Sequence, residues 1–86
     1  MYVFRARLPA GFRKEPESHA DDRVGTVLAG TLYVDYGDEF NEQKAVAIPK
    51  GRTWTQPARQ SCFLWAKEGD VLVQVVGNGQ QPQTGT

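Results

Sequence analysis

The 86-residue chain has a single cysteine, Cys62, so no disulfide can form within it. Nothing in it asks for an oxidising compartment, and a cytoplasmic setting is expected. Neither charge is in excess: ten Lys and Arg offset ten Asp and Glu. With no basic surplus to gather phosphates or anionic lipid, nucleic acid and membrane surfaces are not expected partners. No apolar run approaches the roughly 18 residues of a membrane-spanning helix, and Arg5 and Arg7 interrupt the apolar N-terminus. Helical periodicity is missing as well. No segment repeats apolar residues at i, i+3, i+4 and i+7 over the length a stable helix needs. Imidazole chemistry, finally, has one candidate, His19.

What is present is strand alternation broken by turns. Tyr2, Phe4, Ala6 and Leu8 alternate with Val3, Arg5 and Arg7 up to the turn Pro9-Ala10-Gly11, which predicts a half-buried strand. Val24 to Leu28 and the alternating Leu32, Val34 and Tyr36 read as a hairpin-like pair about Ala29-Gly30. Further short strands are predicted at Ala45–Ile48, about Thr53-Trp54-Thr55, at 62–66 and at 71–76, with turns at Pro49-Lys50-Gly51, Pro57 and Glu68-Gly69-Asp70. Turn signals every 8–12 residues or so between short strands mark a sandwich, barrel or jelly roll.

One domain is expected over residues 1–77, followed by a polar tail, 78–86, too poor in apolar residues to order itself. A domain this short buries only about 60–65% of the surface its unfolded chain exposes, which favours oligomerisation, and a homodimer is expected. The terminal strand Tyr2–Leu8 is one candidate contact. The aromatic pair Phe63 and Trp65, facing outward if Cys62 faces inward, is the other.

Two stretches carry a spacing pattern. Gly11 is followed by five residues, Glu17-Ser18-His19, three residues, Arg23, six residues and Gly30. Gly51 is followed by five residues, Pro57-Ala58-Arg59, two residues, Cys62, three residues and Ala66. In spacing these resemble the paired motifs of the cupin superfamily, which run Gly, His-x-His, Glu, Gly and then Gly, Pro-x-Gly, His, Asn. The stretches LAGTLYV and FLWAK are also similar to small bacterial cupins. The resemblance implies a single-domain, all-β, cupin-like jelly-roll barrel. The corner residues Gly11, Gly30, Gly51 and Pro57 match, but most of the metal-ligand letters do not.

In the family the two His of the first motif, its Glu and the later His bind a divalent metal. Carried onto this chain, the resemblance leaves Glu17, His19 and Cys62 as candidate ligands for zinc, iron, nickel or manganese, with Arg23 where the Glu would be. A divalent ion about 5 Å from a guanidinium feels roughly 6–7 kcal/mol of repulsion at an effective dielectric near 20. A sound four-ligand zinc site is worth about 10–16 kcal/mol. A degenerate metal site and no bound cofactor are therefore expected.

The expected role is binding of a small molecule in the barrel by Glu17, His19, Arg23 and Cys62, with Arg23 available to a carboxylate or phosphate. The competing reading is a metal-dependent oxygenase or isomerase built on Glu17, His19 and Cys62. Two others stay open: proton transfer by His19, and a non-catalytic interaction domain. A Cys62–His19 nucleophile pair lacks a third group to orient it.

Overall fold

The structure is a computed structural model that describes residues 1–39 and 41–79. Among them are eight strands: β1 (Tyr2–Leu8), β2 (Arg13–Glu17), β3 (Arg23–Ala29), β4 (Thr31–Tyr36), β5 (Val46–Pro49), β6 (Thr53–Gln56), β7 (Cys62–Trp65) and β8 (Val71–Gly77). A single 3₁₀ turn, Glu42–Lys44, is capped by Asn41, whose side chain accepts the Gln43 N–H at 3.0 Å.

The strands form two four-stranded antiparallel sheets, ordered β1-β8-β3-β6 and β2-β7-β4-β5. The chain changes sheet at every connection except β4 to β5, which is the course of a double-sheet jelly roll. Val27, Val73 and Val75 from one sheet meet Leu32, Val34, Cys62 and Leu64 from the other in a single buried layer.

Three sequence expectations need correction. The pair read as a hairpin is not one: β3 and β4 lie in opposite sheets, and Gly30 carries the chain across at φ +79°. A Cβ at Gly30 would collide with the Asp70 carbonyl. Alternation shows which face of a strand is buried, and both partner choices bury the same faces. Second, β2, with the sequence RKEPE, was not expected as a strand. It is an edge strand, where Pro16 is tolerated and charged side chains block further pairing. Third, Phe63 is out of phase with Cys62 and Leu64 yet fully buried, at 0% exposure, so it forms no exposed aromatic patch with Trp65. Trp65 itself is half-buried against Tyr33 at 5.9 Å between ring centres, with the Lys67 ammonium over both rings.

The expected tail falls mostly on residues 80–86, outside the described residues. Asn78 and Gly79 are tied back: their backbone N–H groups donate to the Asp22 carbonyl at 3.3 Å and to Asp21 Oδ2 at 3.2 Å.

The inner face of the β1 sheet is laid out in rows of register partners. Tyr2, Gly77, Arg23 and Gln56 form the outermost row. Phe4, Val75, Gly25 and Trp54 form the next, followed by Ala6, Val73 and Val27. Two of these positions are glycine because rings lie flat on them: a Cβ at Gly25 would enter the Trp54 ring, and one at Gly77 the Tyr2 ring. The motif glycines Gly11, Gly30 and Gly51 serve a different need, having φ of +85°, +79° and +88°.

Two substitutions separate these roles. Gly25→Ala is expected to cost about 1–3 kcal/mol by overpacking and to change tryptophan fluorescence, because it displaces Trp54. Gly51→Val is expected to cost about 1–3 kcal/mol by backbone strain, with the fluorescence unchanged, since nothing packs within 4 Å of a Cβ there. Urea unfolding followed by circular dichroism and by fluorescence checks both.

Candidate functional site

A cavity of about 240 Å³ lies between the sheets beside the outermost row. Phe4, Ala6 and Leu8 of β1 and Val73 and Val75 of β8 make its apolar wall. Lys14, His19, Arg23 and Gln56 make its polar end.

Arg23 points inward because β3 buries alternate positions, Arg23, Gly25 and Val27. Its side chain is only 10% exposed, and it brings its own counter-charge: Nε donates to Asp21 Oδ1 at 3.2 Å. Asp21 also accepts the Tyr2 hydroxyl at 2.9 Å and the Gly79 N–H. The guanidinium carbon sits 5.5 Å from the centre of the Tyr2 ring. Burial pushes the Asp21 pKa up, but the bonds from Tyr2, Arg23 and Gly79 outweigh it and hold the carboxyl below its ordinary value. Tyr2 is raised, first by burial and then by its bond to Asp21.

His19 lies past the end of β2, half-buried, in the connection to β3. Burial and then the Arg23 charge lower its pKa, against a smaller upward pull from Glu17, which favours the neutral imidazole. Glu17 is the last residue of β2, and it faces out where Pro16 faces in. Its carboxylate is 47% exposed, 2.8 Å from the Lys14 ammonium and 3.7 Å from His19 Nε2. Lys14's hydrogen bond is the main reason its pKa is lowered.

Cys62 lies elsewhere. It is the register partner of Glu17, but the irregular register between Lys14 and Glu17 separates their directions, and the thiol is 2% exposed within the apolar core. Burial, with a smaller contribution from Asp35, pushes its pKa up to about 11.

The structure thus joins His19 to Arg23 in the cavity wall, leaves Glu17 at the rim and puts Cys62 in the core. Among the described residues, no three His, Cys, Asp or Glu side chains are grouped so as to hold a metal ion. A guanidinium in the wall, with the thiol set apart from it in the apolar core, does not fit a divalent cation. Glu17 and Arg23 do not pair with each other: Glu17 pairs with Lys14, and Arg23 with Asp21.

Sequence reading missed Tyr2, Asp21 and Gln56. Asp21 carried a usable signal, because two residues before Arg23 in an extended segment is the same face. Tyr2 and Gln56 carried none, since only strand pairing brings them into the Arg23 row.

No protein-family profile matches the chain, and no curated protein matches it in sequence. Solved structures do match. A conserved protein of unknown function from Streptococcus pyogenes is 22% identical with a TM-score of 0.72, over 92% of this chain and 65% of that one. A cupin-2 domain containing protein from Shewanella frigidimarina is 18% identical with a TM-score of 0.67, over 88% and 69%. The DMSP lyase DddQ from Ruegeria pomeroyi is 13% identical with a TM-score of 0.79, over 95% of this chain but 40% of that one. At these identities the likeness concerns the fold and not the activity. Two facing sheets in jelly-roll order, glycine corners at the motif spacings and these structural neighbours together give the chain a cupin fold.

Proposed function

We propose that this is a small cupin-type domain, residues 1–77, that binds a small organic molecule between its sheets and whose metal site is degenerate. The observation that supports this reading is the cavity itself, with Arg23 in its wall at the motif position where the family has a carboxylate ligand. The core location of Cys62 and the outward turn of Glu17 count against the competing reading, a metal-dependent oxygenase or isomerase on Glu17, His19 and Cys62.

We also propose a homodimer. β1 is a free edge of its sheet. On its outer side Val3, 57% exposed, is aligned with Val76 and Val24 across β8 and β3. Of the two surfaces read from the sequence, this edge is favoured, because Phe63 has no exposed surface to offer. Among the described residues, no helix is long and apolar enough to cross a membrane.

Three measurements bear on these readings. Protein purified without added metal is expected to contain well under one equivalent of zinc, iron, nickel or manganese by elemental analysis; near-stoichiometric metal sinks the degenerate-site reading. A fragment library titrated onto the labelled protein is expected to shift the methyl signals of Val73 and Val75, and Ala6→Trp, which fills the cavity, is expected to abolish the shifts. Hits that leave those methyls unmoved put the ligand elsewhere. Sedimentation at micromolar concentration is expected to give twice the 9.6 kDa chain mass, with Val3→Glu shifting the balance to monomer; a 9.6 kDa species alone in the parent protein rules the dimer out.

A further inference from the structure

We infer that the ligand of this cavity is an organic monocarboxylate with a compact apolar body, its carboxylate held by Arg23 and Gln56. The inference rests on reading the cavity as a small-molecule site, and it follows from which atoms face the space.

Among the described residues the charged ones lining the cavity are Lys14 and Arg23, and no carboxylate lines it. The acids that pair with these cations, Glu17 and Asp21, are not part of the lining. Each pair sums to zero, so selection comes from position: the cationic residue of each pair lines the cavity and its acid does not.

The Arg23 fork is pre-set. Asp21 engages Nε, the guanidinium carbon lies over the Tyr2 ring at 5.5 Å from its centre, and among the described residues the two Nη groups have no hydrogen-bond partner. Among the described residues no fully buried side-chain nitrogen lacks a partner, so these groups are not fully buried. The Nη edge of a guanidinium matches a carboxylate bidentately.

Gln56 adds a donor, and its orientation follows from chemistry. The Trp54 indole N–H can only donate, so the atom it meets at 3.2 Å must be the amide oxygen, Gln56 Oε1. That leaves the Gln56 NH₂ as the amide's free end, on the register partner of Arg23. Arginine and amide therefore both present donors to the same space.

Successive inward rows lie about 6.6–6.8 Å apart. The rows behind Arg23 offer Phe4, Val75 and Gly25 and then Ala6, Val73 and Val27, none with a side-chain donor or acceptor, and Trp54 of the first of these rows commits its N–H to Gln56. A second carboxylate at that depth would be buried without a partner, which is costly. An inorganic anion would leave the apolar wall uncovered. The volume of about 240 Å³ is below the roughly 300–1,000 Å³ of sites for drug-sized ligands, so the body is compact.

Calorimetry and methyl shifts with octanoate, phenylacetate, octanol, octylamine, acetate, glutarate and inorganic phosphate test this. Octanoate or phenylacetate is expected to bind at least about tenfold more tightly than any of the other five. Arg23→Gln is expected to remove that preference. Gln56→Glu preserves an acceptor for Trp54 while replacing the donor with an acid; it is expected to weaken octanoate about tenfold or more and to spare octanol, which controls for loss of the fold. Octanol or octylamine matching octanoate overturns the carboxylate assignment and leaves the cavity reading intact. Phosphate or glutarate exceeding both carboxylates overturns the apolar body. No shift at Val73 or Val75 with any probe overturns the cavity reading, and this inference with it.

Discussion

The ion pair between Arg23 and Asp21 is the contact on which the polar end of this molecule depends. A guanidinium in the thin space between two sheets, 10% exposed, would be costly alone, because several kcal/mol of hydration would go unreplaced. Asp21 supplies the opposite charge, and Tyr2 and the Gly79 N–H hold Asp21 in place. The Tyr2 ring can reach there only because Gly77 has no side chain. Both ends of the described chain are thereby joined at one carboxylate, and the Arg23 side chain keeps a single orientation towards the cavity.

Behind that row the inner face of the same sheet carries Phe4, Val75, Gly25 and Trp54 and then Ala6, Val73 and Val27. The polar residues that line the cavity are gathered about the Arg23 row. The exposed pair Arg13–Glu42 and the Arg7–Asp70 pair tie loops and strand ends together at the surface, where such contacts contribute little. The structural neighbours include a lyase and a protein of unknown function on one scaffold. A shared fold is compatible with different chemistry, because the side chains in the space decide it. Here those side chains are an arginine, a lysine, an amide, a histidine and a valine-lined wall.

The amino-acid sequence by itself determined the fold class, the positions of most strands and the glycine corners. Alternation in β1, β4 and β8 states which face each strand buries, and the spacings Gly11 to Gly30 and Gly51 to Ala66 state where the corners fall. Those are local facts, set by side-chain period and by φ. It also placed Arg23 and His19 near one site. Only the tertiary structure decided which strands are neighbours, and with that most of the site. The separation of β3 from β4 into opposite sheets, the strand character of RKEPE and the arrival of Tyr2 and Gln56 beside Arg23 all come from pairing across long sequence separations. The departure of Cys62 from His19 belongs with them. Motif spacing counts residues along the chain, whereas an irregular register in β2 and the end of that strand at Glu17 turn two matching positions in different directions. Periodicity selects a face, and only the partner strand selects the company that face keeps.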